Sequence, residues 1–279
     1  MATPFDGKLT WWHWRGGAVD VASIDELAGF VRAASPNATG IAVKSSHGVK
    51  WQGDHRDEKT ALTIYGPRSV AVWADALAAA GLETHLWAVV HGQDVEQEPA
   101  RLIAAAAVPS VRSMILDVES GAGYFGRQPR GAASRMAATL RAGLPKDFHL
   151  GLCVFARDDE LNEIRLEEWL PHVDSLHPMV YHWDFSRGTG RPETYLDEAV
   201  DRLAPFGRPL VPILGTYPDP YSGWPVSPEH LLEGAHYALE LGAAGVSLFR
   251  LGSAADGCSA PPQLAAIRRI RLGSPRSLP

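Results

Sequence analysis

The chain has 279 residues, of which 46% are hydrophobic and 21% charged, so it has ample material for a core and is not expected to be disordered. Its net charge is −6 and its basic residues are scattered, which argues against nucleic acid or an anionic membrane surface as the main partner. No uninterrupted apolar run reaches the ~18 residues that a membrane-spanning helix needs, so membrane insertion is not expected.

The two cysteines are far apart, with Cys153 in an apolar run and Cys258 in a loop of small residues. Without a CxxC pair or a Cys/His cluster, we expect no disulfide framework, no zinc site and no cofactor. Residues 1–8 lack the apolar core of a signal peptide. We therefore expect a cytoplasmic protein, a protein released by lysis or another leaderless route, or a mature form that has lost its leader.

Strand-like and helix-like runs alternate along the whole chain. A capping box at 23–26 and Pro67 at a first helical position mark two of the helix starts. Strands are predicted at 8–14, 39–45, 83–90, 113–119, 149–155, 173–183, 209–216 and 245–250. Helices are predicted at 23–34, 67–80, 95–107, 132–142, 193–204, 227–241 and 264–270, and a long polar loop follows the second strand.

This order predicts an α/β protein with parallel strands, and eight strands favour a closed (β/α)8 TIM barrel over an open doubly wound sheet. A phosphate-binding loop after the first strand would support the open sheet, but Arg15-Gly16-Gly17 is not GxGxxG. We expect a single barrel over residues 1–272, followed by a flexible tail at 273–279.

The fourth predicted strand ends in two carboxylates, Asp117 and Glu119, and a glycine-rich stretch at 120–126 follows it. In a strand, residues i and i+2 point to the same face, so the two acids should project side by side with Cα atoms about 6.6 Å apart. Each charge disfavours the other, so one pKa should rise, as an acid catalyst requires. Alternatively, one of the acids only caps a helix or ends the strand at the surface.

Polar and aromatic side chains also lie at the ends of the other predicted strands, where barrel enzymes build their active sites. Strand parity places Met179, Tyr181 and Trp183 on the lumen side together with the acid pair. The other strand-end candidates are His13 or Trp14, Trp12, Lys44, His91, Arg157 or Asp158, Asp184, Tyr217 and Arg250.

The nine tryptophans indicate a sugar ligand, because the apolar faces of a pyranose stack on indole rings while acids and histidines bind its hydroxyls. Five lie at strand ends or in loops on the presumed catalytic side: Trp12, Trp14, Trp51, Trp183 and Trp224. The other four are expected to pack between helices and strands: Trp11, Trp73, Trp87 and Trp169. A metal site is not expected, because His47, His55 and His91 have irregular spacing.

Three segments resemble family 18 glycoside hydrolases, the chitinase-like barrels. Leu116-Asp117-Val118-Glu119 resembles the end of their DxDxE signature, 173–181 their sixth strand, and 210–217 their seventh. The LDVE end is also similar to the fourth strand of family 25 lysozymes, which cut peptidoglycan. The two earlier aspartates of the family 18 signature are replaced by Arg112 and Ile115, and the first strand lacks the aspartate of family 25.

The family 18 resemblance implies a polysaccharide or oligosaccharide substrate that contains N-acetylhexosamine. It also implies that Glu119 protonates the glycosidic oxygen, that Asp117 orients the substrate's N-acetyl group as internal nucleophile, and that Tyr181 hydrogen-bonds this group. A two-acid mechanism would instead need a second carboxylate across the sugar, for which Asp184 and Asp158 are the candidates.

Two other functions remain open at this point. The barrel could bind glycans, or serve as a structural or assembly component, without turnover. It could also be another barrel enzyme, such as a lyase or deacetylase, with Lys44 as a Schiff-base or anion-binding residue. A salt bridge from Lys44 to Asp117 or Glu119 is a simpler role for this lysine, and it would lower the pKa values of the carboxylates.

Overall fold

The computed structural model describes residues 2–56, 60–181, 191–218 and 226–273. Its strands are β1 (Leu9–His13), β2 (Ala38–His47), β3 (Lys50–Trp51), β4 (Glu83–Val89), β5 (Val111–Asp117), β6 (His149–Phe155), β7 (Ser175–Met179), β8 (Ile213–Gly215) and β9 (Val246–Phe249). Strand β3 is antiparallel to the end of β2, and the other eight form a parallel barrel that closes because β1 pairs with both β2 and β9.

Helices surround the barrel and cover its outer face. They are α1 (Ile24–Ala34), α2 (Gln52–Arg56), α3 (Pro67–Ala79), α4 (Gln97–Ala106), α5 (Ala132–Gly143), α6 (Asp158–Glu163), α7 (Leu166–Trp169), α8 (Pro192–Leu203), α9 (Pro228–Glu240) and α10 (Pro261–Ile267). Helix α1 begins at the predicted capping box, since the Glu26 N–H donates to Ser23 Oγ at 3.2 Å. Its buried face includes Leu27 and Val31, which belong to the core around the barrel.

The predicted (β/α)8 barrel is confirmed, and β6 has its predicted bounds. The seventh predicted strand, 209–216, was too long, because Pro209 and Pro212 have no N–H to donate to a neighbouring strand, and regular pairing covers only β8. The polar stretch after β2 was predicted as a loop, but its first part turns back as β3 and continues as α2.

Some predictions fall on parts of the chain that are not described. Trp183, Asp184 and Trp224 lie outside the described residues, as do residues 274–279 of the predicted tail. Of the sixth predicted strand, 173–183, the structure describes residues up to Tyr181 and assigns regular strand to β7 alone. In the four described ranges, no helix is both long and apolar enough to cross a membrane.

The amino-terminal end of the barrel is closed by Phe5 and a layer of buried histidines. The Phe5 ring centroid lies 4.6 Å from that of His85, 5.6 Å from that of His149 and 4.9 Å from that of His177. Ser175 Oγ lies 2.8 Å from His149 Nε2 and 2.9 Å from His177 Nε2. Burial lowers the pKa of all three histidines, so this layer is neutral at physiological pH.

Two glycines leave the space that this histidine layer needs. A Cβ at Gly151 would lie 2.7 Å from His177 Nε2, and a Cβ at Gly40 would lie 3.0 Å from His85 Cδ2. Close packing tolerates no such overlap, so any side chain at these positions would displace an imidazole. The amino-terminal end of the lumen is therefore a packed layer that contributes to stability.

Gly151→Ala should lower the free energy of unfolding by about 1–3 kcal/mol, because the added methyl overpacks the His177 contact. Gly29→Ala is the matched control, since Gly29 lies inside α1 with no atom within 4 Å of the added Cβ. It should raise the free energy of unfolding by about 0.5–1 kcal/mol through helix propensity. Urea unfolding of both variants tests this, and equal stabilisation by the two would contradict the packing argument.

Candidate active site

The carboxyl ends of the barrel strands surround a cavity of about 830 Å³. This volume falls in the range of ligand-binding pockets, roughly 300–1,000 Å³. Its wall combines acids, bases and aromatic rings, and it includes Trp12, Trp14, Arg15, Lys44, His47, His55, Trp87, Asp117, Glu119, Tyr124, Tyr181, Tyr217, Phe249, Arg250 and Asp256. Most of the predicted strand-end residues are thus brought together in one place.

Asp117 is the last residue of β5, and both it and Glu119 line the cavity, as strand alternation predicts. Asp117 is only 6% exposed. Burial raises its pKa to about 6, although the positive charge of Lys44 and a hydrogen bond with Cys153 act in the opposite direction. The expected rise in pKa therefore occurs at Asp117, and its main cause is loss of water rather than repulsion between the two acids.

Lys44 enters the same cavity from β2 and is 4% exposed. Its Nζ lies 4.8 Å from the centroid of the Trp87 ring and 3.4 Å from His47 Nδ1. Burial lowers its pKa to about 8, while the charges of Asp117 and Glu119 raise it. Among the described residues no ion pair joins Lys44 to Asp117, so this part of the expected salt bridge is absent and the attraction acts at longer range.

Two tyrosines face the acid pair. Tyr181 is 5% exposed, and its ring centroid lies 5.9 Å from that of Tyr217 and 5.9 Å from that of Phe249. Burial raises the pKa of Tyr181 well above its ordinary value, and the charge of Glu119, followed by burial, raises the pKa of Tyr124 to about 12. Both hydroxyls therefore stay protonated near neutral pH.

Tyr124 was not among the predicted site residues. It belongs to the glycine-rich loop 120–126, which is fixed by the carboxylates of α6. The N–H of Gly121 donates to Glu163 Oε1 at 3.0 Å, and the preceding N–H donates to Glu160 at 3.3 Å. Arg157, one of the strand-end candidates, pairs with Glu160 at 2.9 Å and so helps to fix the carboxylate that holds this loop. The sequence feature that could have identified Tyr124 is its position as an aromatic residue in the glycine-rich loop directly after the two acids.

The aromatic floor of the cavity contains Trp12 and Trp87, whose ring centroids are 5.1 Å apart. Trp87 was expected to pack between helices and strands, and this prediction was wrong, because its position in β4 points toward the lumen beneath Lys44. Trp51 is half-buried against Arg101, whose guanidinium carbon lies 5.7 Å from its ring centroid. The other tryptophans predicted to pack in the core are fully buried: Trp11, Trp73 and Trp169.

His91 does not line the cavity but lies behind His47, with ring centroids 4.7 Å apart. His47 also stacks on His55 at 3.8 Å. The N–H groups of His91 and Gly92 donate to the buried Glu98 at 3.2 and 2.7 Å, and burial raises the pKa of Glu98 to about 7. Within the described ranges, no group of three or more His, Cys, Asp or Glu side chains is placed to hold a metal ion.

Two further candidates point away from the cavity. His13 is buried against Trp73, with ring centroids 4.9 Å apart, so of the pair His13 and Trp14 only Trp14 faces the lumen. The Asp158 side chain is 80% exposed and pairs with Arg202 at 3.3 Å on the outside of the barrel. Asp158 is therefore excluded as the second carboxylate of a two-acid mechanism, because α6 carries it away from the strand ends.

No protein-family profile matches the sequence, and no curated protein matches it either. Solved structures do match. An endo-β-1,4-mannanase from Thermotoga petrophila superposes with a TM-score of 0.69 at 11% identity, over 97% of this chain and 77% of that one. The fold that the chain shares with these structures is the (β/α)8 barrel.

Two other neighbours have different substrates. The spore cortex-lytic enzyme SleL from Bacillus cereus has a TM-score of 0.64 at 12% identity, over 95% of this chain and 76% of that one. A family 18 N-acetylglucosaminidase from Paenibacillus barengoltzii has a TM-score of 0.62 at 11% identity, over 94% and 98%. At such identities the likeness shows the fold alone, so the chemistry has to be argued from the residues of the cavity.

Replacement of Lys44 by methionine should raise the pKa of Asp117 above about 6, because the lysine charge now stabilises the carboxylate. The pH titration of the carboxyl carbon of Asp117, assigned with Asp117→Asn, measures this by NMR in aspartate-labelled protein. Lys146→Met, a change at an exposed position between α5 and β6, should leave the titration unchanged. A pKa that stays the same or falls in Lys44→Met would contradict the assignment.

Proposed function

We propose that this protein is a retaining glycoside hydrolase that cleaves glycosidic bonds in an N-acetylhexosamine-containing polysaccharide of the peptidoglycan or chitin type. The observation that carries the proposal is the placement of Asp117 and Glu119 together in a deep, aromatic-walled cavity at the carboxyl ends of the barrel strands. Active sites of such barrels lie at this end, and aromatic walls with a few convergent polar groups suit sugar rings.

In the proposed reaction, Glu119 donates a proton to the glycosidic oxygen as the bond to the anomeric carbon breaks. The acetamido oxygen of the substrate attacks the anomeric carbon from the opposite face and forms a cyclic intermediate. Water then opens this intermediate and gives up a proton to the Glu119 carboxylate, so the configuration is retained. Asp117 lines the same cavity as Glu119. Its pKa of about 6 allows it to take up and release a proton next to Glu119 during the reaction.

The acetamido group needs hydrogen-bond partners that hold it against the sugar. Asp117 and Tyr181 both line the cavity, and Tyr181 keeps its proton because burial raises the pKa of its hydroxyl. Asp117 can accept from the acetamido N–H while Tyr181 donates to its oxygen. Tyr217, which is only partly buried, provides a ring face nearby for the sugar itself.

Substrate assistance is favoured over a two-acid mechanism by the inventory of carboxylates. A direct mechanism needs a second acid roughly 5–9.5 Å from the first, on the other side of the sugar. Among the described cavity residues, the carboxylate besides the acid pair is Asp256, which pairs with Arg250 at 3.1 Å. Within the described ranges, which do not include Asp184, the second carboxylate is thus already held in an ion pair, so the substrate's own acetamido group fits this role better.

Glu119→Gln should reduce the release of reducing ends from peptidoglycan or chito-oligosaccharides by roughly 10²–10⁴-fold, the usual contribution of a general acid. Asp117→Asn should reduce it as well, because an amide cannot take up or release a proton at that position, although its oxygen can still accept from the acetamido N–H. The thermal midpoint of Glu119→Gln should stay close to that of the wild type, because the change is isosteric and removes no core packing.

Glu167→Gln, at an exposed position on α7, is the matched control and should retain full activity. If the wild type and Glu119→Gln bind the oligosaccharides equally and neither releases reducing ends, the barrel is a glycan-binding module without turnover. That result would refute the hydrolase proposal. Activity that persists unchanged in Glu119→Gln would refute the assignment of the general acid.

A further inference from the structure

The carboxyl ends of β1 and β9 bring two arginines against one indole ring. The guanidinium carbon of Arg15 lies 4.3 Å from the centroid of the Trp14 ring, and that of Arg250 lies 4.9 Å from the same centroid. The Arg250 guanidinium carbon also lies 5.4 Å from the Tyr217 ring centroid. All of these side chains line the cavity. We call Trp14, Arg15 and Arg250 the arginine rim.

The backbone holds both arginines in fixed positions. The Arg250 N–H donates to Thr216 Oγ1 at 2.9 Å, and the Thr216 hydroxyl donates to the Arg250 carbonyl at 2.8 Å. The Arg15 carbonyl accepts a hydrogen bond from the Ala18 N–H at 3.1 Å, across the short 3-10 turn Gly16–Ala18. Fixed backbones and a flat ring surface leave the guanidinium groups little freedom to lose on binding, so the rim is preorganised.

The rim carries an excess of positive charge in the described part of the chain. Arg250 Nη1 pairs with Asp256 Oδ2 at 3.1 Å. Arg15 has no ion pair with a described carboxylate, and its Nε is buried without a hydrogen-bond partner among the described residues. The charge of Arg15 also lowers the pKa of Lys44, which shows that the two cations act on each other. The excess is limited to the rim, because the described cavity wall as a whole balances Arg15, Lys44 and Arg250 with the three carboxylates Asp117, Glu119 and Asp256.

The position of the rim relates it to the acid pair. Strand β9 is four strands away from β5 in either direction around the barrel, so Arg250 lies on the opposite side of the mouth from Asp117. A saccharide whose scissile bond lies at Glu119 would therefore extend a neighbouring unit toward the rim. This step rests on the proposed function, because that function fixes where the bond lies.

We propose that the arginine rim is a subsite for a carboxylate-bearing saccharide unit. A guanidinium presents its N–H donors in a planar fork that matches the two oxygens of a carboxylate. Arg15 is the principal partner, since Arg250 already shares its charge with Asp256. Trp14 then serves to hold the two guanidinium groups, rather than as an open platform for sugar. The carboxylate can belong to a uronic acid or to the lactyl ether of a muramic acid.

Calorimetric titration of the Glu119→Gln protein, in which turnover is blocked, tests this with four tetrasaccharides. They are neutral N-acetylglucosamine oligomer, alternating N-acetylglucosamine and N-acetylmuramic acid with free carboxylates, the methyl ester of that compound, and galacturonic acid oligomer. The free acid should bind at least ~10-fold more tightly than its ester, as a charge-assisted hydrogen bond provides. This preference should decrease as salt is added.

Adding Arg15→Gln to this background should remove the preference for the free acid while leaving the affinity for the ester unchanged. Arg15→Lys should restore part of the preference, because it returns the charge without the fork. Arg112→Gln, an exposed arginine at the amino end of β5, is the control and should change nothing. Tighter binding of the muramic compound than of its ester, or of the galacturonic compound than of the neutral oligomer, supports the subsite. Which of the two binds tightly identifies the source of the carboxylate.

Equal affinity for the acid and its ester overturns the proposal. A loss of affinity in Arg15→Gln that is the same for the acid and the ester also overturns it, as does a failure to bind any of the four compounds. The two proposals fail separately. Turnover by the wild type without a preference for carboxylates rejects the subsite and keeps the hydrolase. Carboxylate-selective binding without turnover of any compound rejects the hydrolase and keeps the subsite.

Discussion

The site depends on the burial of one ionisable carboxyl at the mouth of a closed barrel. Asp117 is the last residue of β5 and is paired on one side with Val89 and on the other with Cys153, so its side chain cannot turn to bulk water. Loss of water raises its pKa to about 6, and an unpaired buried charge would cost several kcal/mol. The positive charge of Lys44 lowers this cost because it attracts the Asp117 carboxylate, although the two side chains form no direct ion pair.

The two ends of the lumen bury polar groups in different ways. At the amino-terminal end, neutral imidazoles exchange hydrogen bonds with serines such as Ser175 and pack around Phe5, so the imidazoles themselves add no buried charge. At the carboxyl end, Lys44 and Asp117 keep ionisable groups in a cavity that a ligand can enter. The packed layer thus lies at one end of the barrel and the ionisable cavity at the other, which is the usual division in barrels of this kind.

The barrel and the acid pair could be predicted because both follow from local periodicity. Alternation along β5 brings Asp117 to the lumen face, and Glu119, two residues past the end of this strand, still lines the cavity. Trp87 and His91 could not be assigned in the same way. They share the same parity, but only Trp87 lines the cavity, whereas the backbone at His91 is held by the Glu98 carboxylate outside it. The hairpin β3 depends on contacts with the end of β2 that no local pattern specifies.

A barrel that superposes on a mannanase, a cortex-lytic enzyme and an N-acetylglucosaminidase does not by itself select among their substrates. The substrate has to be determined by side chains at the strand ends. Here one ion pair, Arg250 with Asp256, bears both on the mechanism and on the charge of the substrate. By holding Asp256, Arg250 withdraws a carboxylate from a two-acid mechanism, which favours assistance by an acetamido group. The same pairing leaves Arg15 as the main uncompensated cation of the arginine rim among the described residues, so the proposed charge of the substrate and the proposed mechanism of cleavage are connected through a single residue.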